Sequence, residues 1–148
     1  MKNLNMFCIS LEPNHYNFIK NLEYVPVGLG DKDFNDDWFK DKLGNNISAK
    51  NKNYGEYTYH YWLWKNYLNK LGDEWIGFCQ YRKFWSLEKH NKENININSL
   101  NSIVLKEIPK KFDEYESILG EPIFVNQFRA MKFIKRGFKL LLKNPLFL

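Results

Sequence analysis

The chain has 148 residues, of which 44% are hydrophobic and 26% charged, so it can bury a core and is not intrinsically disordered. We therefore predict a single domain over residues 1–148. The net charge of +5 is concentrated near the C-terminus, where six basic side chains and no acidic one occur from Arg129 onward. Such a basic end either attracts anionic partners or forms a solvated helix face.

The first quarter of the chain alternates apolar runs with turns. Residues 6–10 predict a strand, and residues 13–22 predict a short helix that begins at a proline. Residues 23–27 predict a second strand, and Pro26 favours a position at a sheet edge or strand end. The glycines of segment 28–30 end this strand.

An aspartate-rich loop follows the second predicted strand. Asp31 and Asp33, separated by one lysine, match the D-x-D pattern with which many sugar transferases hold a divalent cation against a diphosphate. We predict Asp31 and Asp33 as ligands of Mn²⁺ or Mg²⁺. The alternative, which the loop composition favours over a metal site, is a set of solvated loop carboxylates.

The clearest predicted helix comes next. Asn53 and Glu56 have the spacing of a capping box, with Asn53 as the N-cap. An apolar stripe of the kind that packs on a core follows at helical spacing, formed by Tyr57, Tyr61, Trp64 and Leu68. Gly72 predicts the end of the helix.

Residues 75–81 predict a strand at the centre of the sheet, because the segment has little polar surface. Cys8 and Cys79 lie in short apolar runs without metal-ligand spacing, which predicts buried, reduced thiols. Walker, G-x-G-x-x-G and nucleophile-elbow motifs are absent from the sequence, which argues against the commonest nucleotide-hydrolysing and hydrolase classes.

The last third of the chain predicts weaker elements. Residues 86–101 predict a loop or weak helix, residues 103–108 a strand and residues 113–119 a short helical turn. Residues 123–143 predict a basic amphipathic helix, with an apolar face that includes Phe128, Ile134 and Phe138. Its other face carries basic side chains, namely Arg129, Lys132, Arg136, Lys139 and Lys143.

The end of the strand over residues 75–81 is the first candidate binding site. In open α/β sheets, ligands bind beyond the carboxyl ends of the strands, where this chain has Gln80, Tyr81, Arg82 and Lys83. An arginine there can bind a phosphate with two parallel hydrogen bonds, and a lysine adds a point charge. The alternative is a structural arginine paired with an acidic neighbour.

The polar segment around the clearest helix is the second candidate. Asn46 and Asn51 precede the helix start, where free backbone N–H groups favour polar ligands. Glu56 is either a cap or a catalytic carboxylate, and His60 is either an acid/base group or a packed side chain. Trp62 lies off the apolar stripe, so it either stacks on a sugar or meets a second layer of the fold.

Five segments of the chain together resemble a known family: residues 45–48, 50–51, 54–58, 61–66 and 76–84. They resemble the "NIS-x-KN", "Y-x-E-x-T-x-x-YW-x-WKN" and "IG-x-CHYRR" motifs of the domain of unknown function family DUF4422, found in bacterial capsular and exopolysaccharide synthesis proteins. The resemblance covers roughly residues 24–85. The family pattern has His where this chain has Gln80, and Arg where it has Lys83.

This resemblance implies a GT-A-like, Rossmann-like fold: an open mixed α/β sheet flanked by helices. It also implies a glycosyltransferase of hexosyltransferase type, which takes a sugar from a nucleotide-sugar donor and passes it to a glycan acceptor in surface polysaccharide biosynthesis. Family members are commonly longer, which predicts a fragment or a short variant.

The alternative function is a non-catalytic accessory module that docks on a partner enzyme or an anionic membrane surface through its C-terminal helix. The polar N-terminus and the lack of a long apolar stretch predict a cytoplasmic protein, peripheral to the inner membrane face under this alternative. No groove-reading motif is present, so we expect no nucleic-acid partner.

Overall fold

Five strands form one open mixed sheet in the computed structural model, which describes residues 2–90, 95, 97–121, 134, 138 and 142. Its strands are β1 (Lys2–Ser10), β2 (Val25–Gly28), β3 (Phe39–Lys40), β4 (Trp75–Gln80) and β5 (Glu107–Ile108). The first four are parallel in the order β3-β2-β1-β4, and β5 pairs antiparallel with the start of β1. The predicted α/β class is confirmed.

Short helices connect β1 to β2, β3 to β4 and β4 to β5, and a loop over residues 29–38 connects β2 to β3. The α-helices are α1 (Tyr16–Asn21), α2 (Asn51–Tyr54), α3 (Tyr57–Asn66) and α4 (Ile97–Ile103). Single 3₁₀ turns lie at Pro13–His15, Ser48–Lys50, Leu68–Lys70 and Lys110–Phe112. Parallel strands require long crossover connections, because a tight hairpin cannot join the end of one to the start of the next.

Strand β1 is buried on both faces. Met6 and Cys8 point to one side, where they pack with Ile19 of α1. Phe7 and Ile9 point to the other side, as the two-residue period of a strand dictates. There they pack in a cluster with Tyr59 and Leu63 of α3 and with Val27 and Leu29. The resulting order of helix, sheet and helix is the Rossmann-like arrangement that we predicted.

The central strand is β1, so the predicted central position of residues 75–81 is wrong. Within the described sheet, β4 pairs with β1 alone, and its side chains are mostly half-buried. Strand β3 lies within the segment predicted to be only a loop. Cys8 and Cys79 are buried, free thiols in register across β1 and β4. A hydrogen bond with Cys8 and burial together raise the pKa of Cys79.

The predicted capping box is also wrong. Gly55 has a φ of 57° and separates α2 from α3, so Asn53 lies inside the shorter helix. Glu56 occupies the N-cap position of α3 without a side-chain cap hydrogen bond. The predicted core stripe faces outward, because Tyr57 and Trp64 are exposed while the buried α3 residues are Thr58, Tyr59 and Leu63.

Two later predictions need correction. Helix α4 extends to Ile103, and only Glu107–Ile108 is a strand within segment 103–108. The helical turn expected over residues 113–119 lies earlier, at Lys110–Phe112. Most of the predicted helix over residues 123–143 lies outside the described residues.

Contacts divide the chain into two compact units, Met1–Ile118 and Leu119–Leu148. The sheet and its four helices belong to the first unit. In the second unit, Ile134, Phe138 and Leu142 are described as helical and exposed. Within the described residues, every helix is too short or too polar to cross a membrane.

A glycine in β2 makes the packing of the sheet directly testable. A Cβ on Gly28 would lie 2.4 Å from Cδ1 of Phe34, whose ring is packed against Trp38 at 4.9 Å between centroids. A Cβ on Gly77 would instead meet the flexible end of Met6, at 2.6 Å from Cε. The rigid ring cannot yield as the thioether can.

We therefore expect Gly28→Ala to lower the free energy of unfolding by about 1–3 kcal/mol, the usual cost of overpacking. Gly77→Ala is the matched control in the same sheet and should cost less. Urea denaturation followed by circular dichroism measures both. Equal losses would show that the Phe34 contact does not limit the packing.

Candidate functional site

The carboxyl ends of the four parallel strands meet at one edge of the sheet, called the carboxyl edge below. On one side of β1, Ile9 lies in register with Gln80 of β4. On the other side Ser10 lies beside Gly28, which lies beside Lys40. Parallel pairing therefore gathers side chains that are far apart in the sequence, at the place where open α/β sheets bind ligands.

A tight turn follows β4 and displays Arg82. The backbone N–H of Lys83 donates to Gln80 O at 2.9 Å, and the N–H of Gln80 donates to Lys83 O at 3.2 Å. Tyr81 is fixed at the corner of this turn, since its N–H donates to Ile9 O and its ring stacks on His15 at 4.3 Å. The guanidinium carbon of Arg82 lies 5.9 Å from the centre of the Tyr81 ring.

Arg82 and Lys83 are both exposed at this turn. Neither side chain forms an ion pair with another residue in the described part of the chain. The described residues therefore contain no acidic partner for Arg82 of the kind that the alternative of a structural arginine would require. Two cations side by side on a rigid turn can bind a phosphate or diphosphate.

Glu56 and His60 meet β4 at the same edge. The Gln80 side-chain amide donates to Glu56 Oε2 at 2.7 Å. The His60 ring packs over Phe78 at 4.2 Å, and its Nε2 is buried without a hydrogen-bond partner among the described residues. Burial lowers the pKa of His60 below its usual value, although the nearby Glu56 acts in the opposite direction. A neutral imidazole with a free nitrogen can accept a proton.

A second histidine at this edge was not predicted. His15 Nδ1 lies 2.8 Å from the hydroxyl oxygen of Ser10, which is buried at the end of β1. The hydroxyl also accepts from the backbone N–H of Glu12 at 3.0 Å. Ser10 is the residue at which the first apolar run ends. A polar residue at the carboxyl end of the first strand of an α/β chain could therefore have been predicted as part of a binding site.

The predicted metal ligands have exposed side chains. Asp31 and Asp33 flank Lys32, whose ammonium pairs with Glu12 Oε2 at 2.5 Å and ties this loop to the end of β1. Among the residues that the structure describes, no three His, Cys, Asp or Glu side chains are grouped closely enough to hold a metal ion. Binding of Mn²⁺ or Mg²⁺ by Asp31 and Asp33 therefore stays a prediction.

One aspartate of the same loop differs from the others. Asp41 follows β3 directly and is only 1% exposed, and its Oδ2 has no hydrogen-bond partner in the described part of the structure. A buried carboxylate oxygen without a donor costs free energy. The composition of the loop did not distinguish Asp41 from its other aspartates, because nothing local to Asp41 marks the two-residue strand β3.

The remaining predicted binding residues hold a loop in place. Trp62 Nε1 donates to Leu43 O at 2.6 Å, and Asn46 donates to Gly44 O at 2.9 Å. Asn51 donates to Gly55 O and to Thr58 Oγ1. These polar groups are engaged inside the protein. They position the segment before α3. Only those atoms of Trp62, Asn46 and Asn51 that lie outside these hydrogen bonds can contact a ligand.

A groove of about 550 Å³ lies elsewhere in the first unit. It is lined by the segment after β4 and the segment after α4, including Glu88, His90 and Lys106. Since β5, at its margin, pairs with the start of β1, this groove is not at the carboxyl edge. It does not belong to the candidate site.

Comparison with known protein families gives a match over most of the chain. The family described as "Domain of unknown function (DUF4422)" matches residues 10–136, a range that includes Ser10, Glu56, His60 and the turn over residues 80–83 of the carboxyl edge. No curated protein and no solved structure matches the chain.

The environment of His60 predicts a pH dependence of stability. Because the folded protein disfavours protonated His60, the unfolded chain binds more protons at mildly acidic pH. The stability contribution is therefore fully present above the unfolded pKa of about 6.5 and is lost as the pH falls through the lowered folded pKa.

We expect His60→Gln to flatten the decrease in the free energy of unfolding between about pH 7 and about pH 5. Urea denaturation at several pH values measures this slope. His90→Gln, at an exposed histidine, is the control and should leave the slope unchanged. An unchanged slope in His60→Gln would contradict the buried, neutral imidazole.

Proposed function

The chain belongs to the DUF4422 family, and from that premise we propose that it transfers a sugar from a nucleotide-sugar donor to a growing surface glycan. The observation that carries the proposal is the tight turn with exposed Arg82 and Lys83 at the carboxyl edge. Beside it, Gln80 bonds to Glu56. A cationic turn next to an acid/base cluster suits a reaction with a diphosphate leaving group.

Arg82 has the main role in binding the donor. Its planar guanidinium can donate two parallel hydrogen bonds to diphosphate oxygens, while Lys83 contributes a less directional charge. Negative charge grows on the diphosphate as its bond to the anomeric carbon breaks. Cations already fixed beside it stabilise that charge without reorganising water.

His60 and Glu56 act on the acceptor side. An acceptor hydroxyl forms its new bond to the anomeric carbon most readily when its proton is removed, and the neutral imidazole of the half-buried His60 is a suitable base. Although burial lowers the pKa of His60, the charge of the nearby Glu56 acts in the opposite direction and so stabilises the imidazolium that results. Gln80 holds the carboxylate by its 2.7 Å hydrogen bond.

We expect Arg82→Ala to weaken binding of a nucleotide-sugar at least about tenfold, because a charge-assisted pair of hydrogen bonds is lost. Arg82→Lys keeps the charge without the paired geometry and should fall between Arg82→Ala and the unmodified protein. Lys111→Ala, at an exposed lysine near the end of the described first unit, is the control. Isothermal titration calorimetry on folded protein measures all three.

The ligand for this titration comes from a thermal-shift panel of nucleoside diphosphates and nucleotide-sugars, each with and without Mn²⁺. A rise in Tm that needs Mn²⁺ would support the predicted role of Asp31 and Asp33. No shift with any member of the panel, or unchanged affinity in Arg82→Ala, would overturn the proposed sugar transfer.

The second candidate is an accessory module that docks on an anionic membrane surface, at the inner face in a bacterium. It is favoured by three exposed apolar side chains at four-residue spacing, Ile134, Phe138 and Leu142. Helical residues four apart share a face, and six basic side chains occur from Arg129 onward. An apolar face with adjacent cations binds anionic lipid.

This candidate predicts that the protein floats with vesicles of phosphatidylglycerol and phosphatidylcholine and stays in the soluble fraction with phosphatidylcholine alone. Phe138→Ser should reduce flotation. Leu119→Ser, which changes an exposed apolar side chain elsewhere in the same unit, should not. Equal flotation with both kinds of vesicle would reject the electrostatic part of this mechanism, and no flotation would reject the candidate.

A further inference from the structure

The outward face of α3 carries three aromatic rings, Tyr57, Tyr61 and Trp64, which we call the aromatic face. Tyr57 is 65% exposed and Trp64 is 57% exposed, while Tyr61 between them is half-buried. Their spacing of four and three residues places them on one side of the helix. The opposite side is buried against the sheet through Tyr59 and Leu63.

Neighbouring groups hold two of these rings in fixed orientations. The Tyr61 hydroxyl donates to Asn45 Oδ1 at 3.1 Å. The Tyr61 ring meets Trp64 edge-on at 5.9 Å, and the ammonium of Lys65 lies 3.5 Å from the centre of a Trp64 ring. Rings that are already ordered lose little conformational entropy when a flat ligand stacks on them.

The aromatic face begins at the acid/base cluster. Tyr57 follows Glu56 in the chain, and its ring meets that of His60 edge-on at 5.5 Å between centroids. From Tyr57 to Trp64 the helix rises about 10 Å, which is longer than one sugar ring. A chain molecule whose end lies at His60 would therefore pass over Tyr61 and Trp64 on its way outward.

The ring chemistry indicates the class of ligand. Tyr and Trp combine a flat apolar face with a polar edge, and here that surface continues from the Glu56 and His60 cluster through the contact between the Tyr57 and His60 rings. Sugar rings match this combination, since their C–H faces stack on aromatic rings and their hydroxyls bond to polar edges. Lys65 adds a cation, which suits neutral or acidic sugars and disfavours basic ones.

We propose that the aromatic face binds the glycan acceptor over at least two sugar rings and directs its terminal hydroxyl to the Glu56 and His60 cluster. The inference rests on the proposed sugar transfer for the identity of the ligand as an acceptor. Glycan binding itself depends only on the exposed rings, so it can be tested without a donor.

Saturation-transfer difference NMR on the full chain tests this binding. The probes are four oligosaccharides at millimolar concentration: maltohexaose, cellohexaose, chitohexaose and a hyaluronan hexasaccharide. We expect saturation transfer to at least one of them, with stronger transfer than to its monosaccharide. Trp64→Ala and Tyr57→Ala should each weaken the binding at least about fivefold.

Tyr115→Ala is the matched control, because Tyr115 is 61% exposed and lies outside the aromatic face. Near-ultraviolet circular dichroism confirms that each variant is folded. No saturation transfer to any probe, or the same loss in Tyr115→Ala as in Trp64→Ala, would overturn the proposal.

Two further arms separate this proposal from others. Anionic vesicles in place of the oligosaccharides test a membrane role for the same rings. Flotation that requires Trp64, without saturation transfer to any sugar, would overturn glycan binding. If glycan binding is present but Arg82→Ala leaves nucleotide-sugar affinity unchanged, the aromatic face is a glycan-binding site and the proposed transfer fails.

Discussion

The structure depends on the burial of β1 between two parallel neighbours. Phe7 and Ile9 pack on one side of the sheet, and Met6 and Cys8 pack on the other. Successive residues of this strand therefore face helices on opposite sides of the sheet. Each fully buried side chain of this size contributes about 1.5–3 kcal/mol. Parallel pairing on both sides of β1 in turn requires long crossover connections. It also directs all four carboxyl ends to one edge, so the packing of β1 and the position of the candidate site have the same physical cause.

The positions of the main elements along the chain could be predicted, because apolar runs bounded by Pro and Gly are local signals. The direction in which α3 faces could not. The helix carries rings on opposite sides, and the exposed pair Tyr57 and Trp64 is as apolar in sequence as the buried pair Tyr59 and Leu63. Periodicity identifies a stripe but does not say which of two stripes meets the sheet. The short strand β3 was missed because its two residues, Phe39–Lys40, pair only through a neighbour that is distant in sequence.

The candidate site was predictable where it depends on one strand end and not where it depends on contacts between elements. Arg82 could be predicted because it lies two residues after the end of β4. The contact between His15 and Tyr81 requires the 3₁₀ turn before α1 to meet the turn after β4, which no local pattern reports. The replacement of the family's usual histidine by Gln80 also gains a physical account. The Gln80 amide donates to Glu56, as a histidine N–H in that place could. The position therefore keeps a donor for this carboxylate, although Gln80 cannot itself exchange a proton at neutral pH.

The residues that make the sequence resemble its family have two different physical roles. Asn45 and Asn66 bond to each other through backbone and side chain, and the Trp62 indole donates to Leu43 O, so these residues fasten a loop to α3. Gly44, with a φ of 66°, lies in that loop where a Cβ would approach Asn66 Oδ1 to 2.4 Å. This part of the motif maintains the fold whatever reaction the protein performs. The proposed sugar transfer depends instead on the groups that the fastened loop and helix leave open at the carboxyl edge, above all Arg82, whose guanidinium has no ion pair among the described residues.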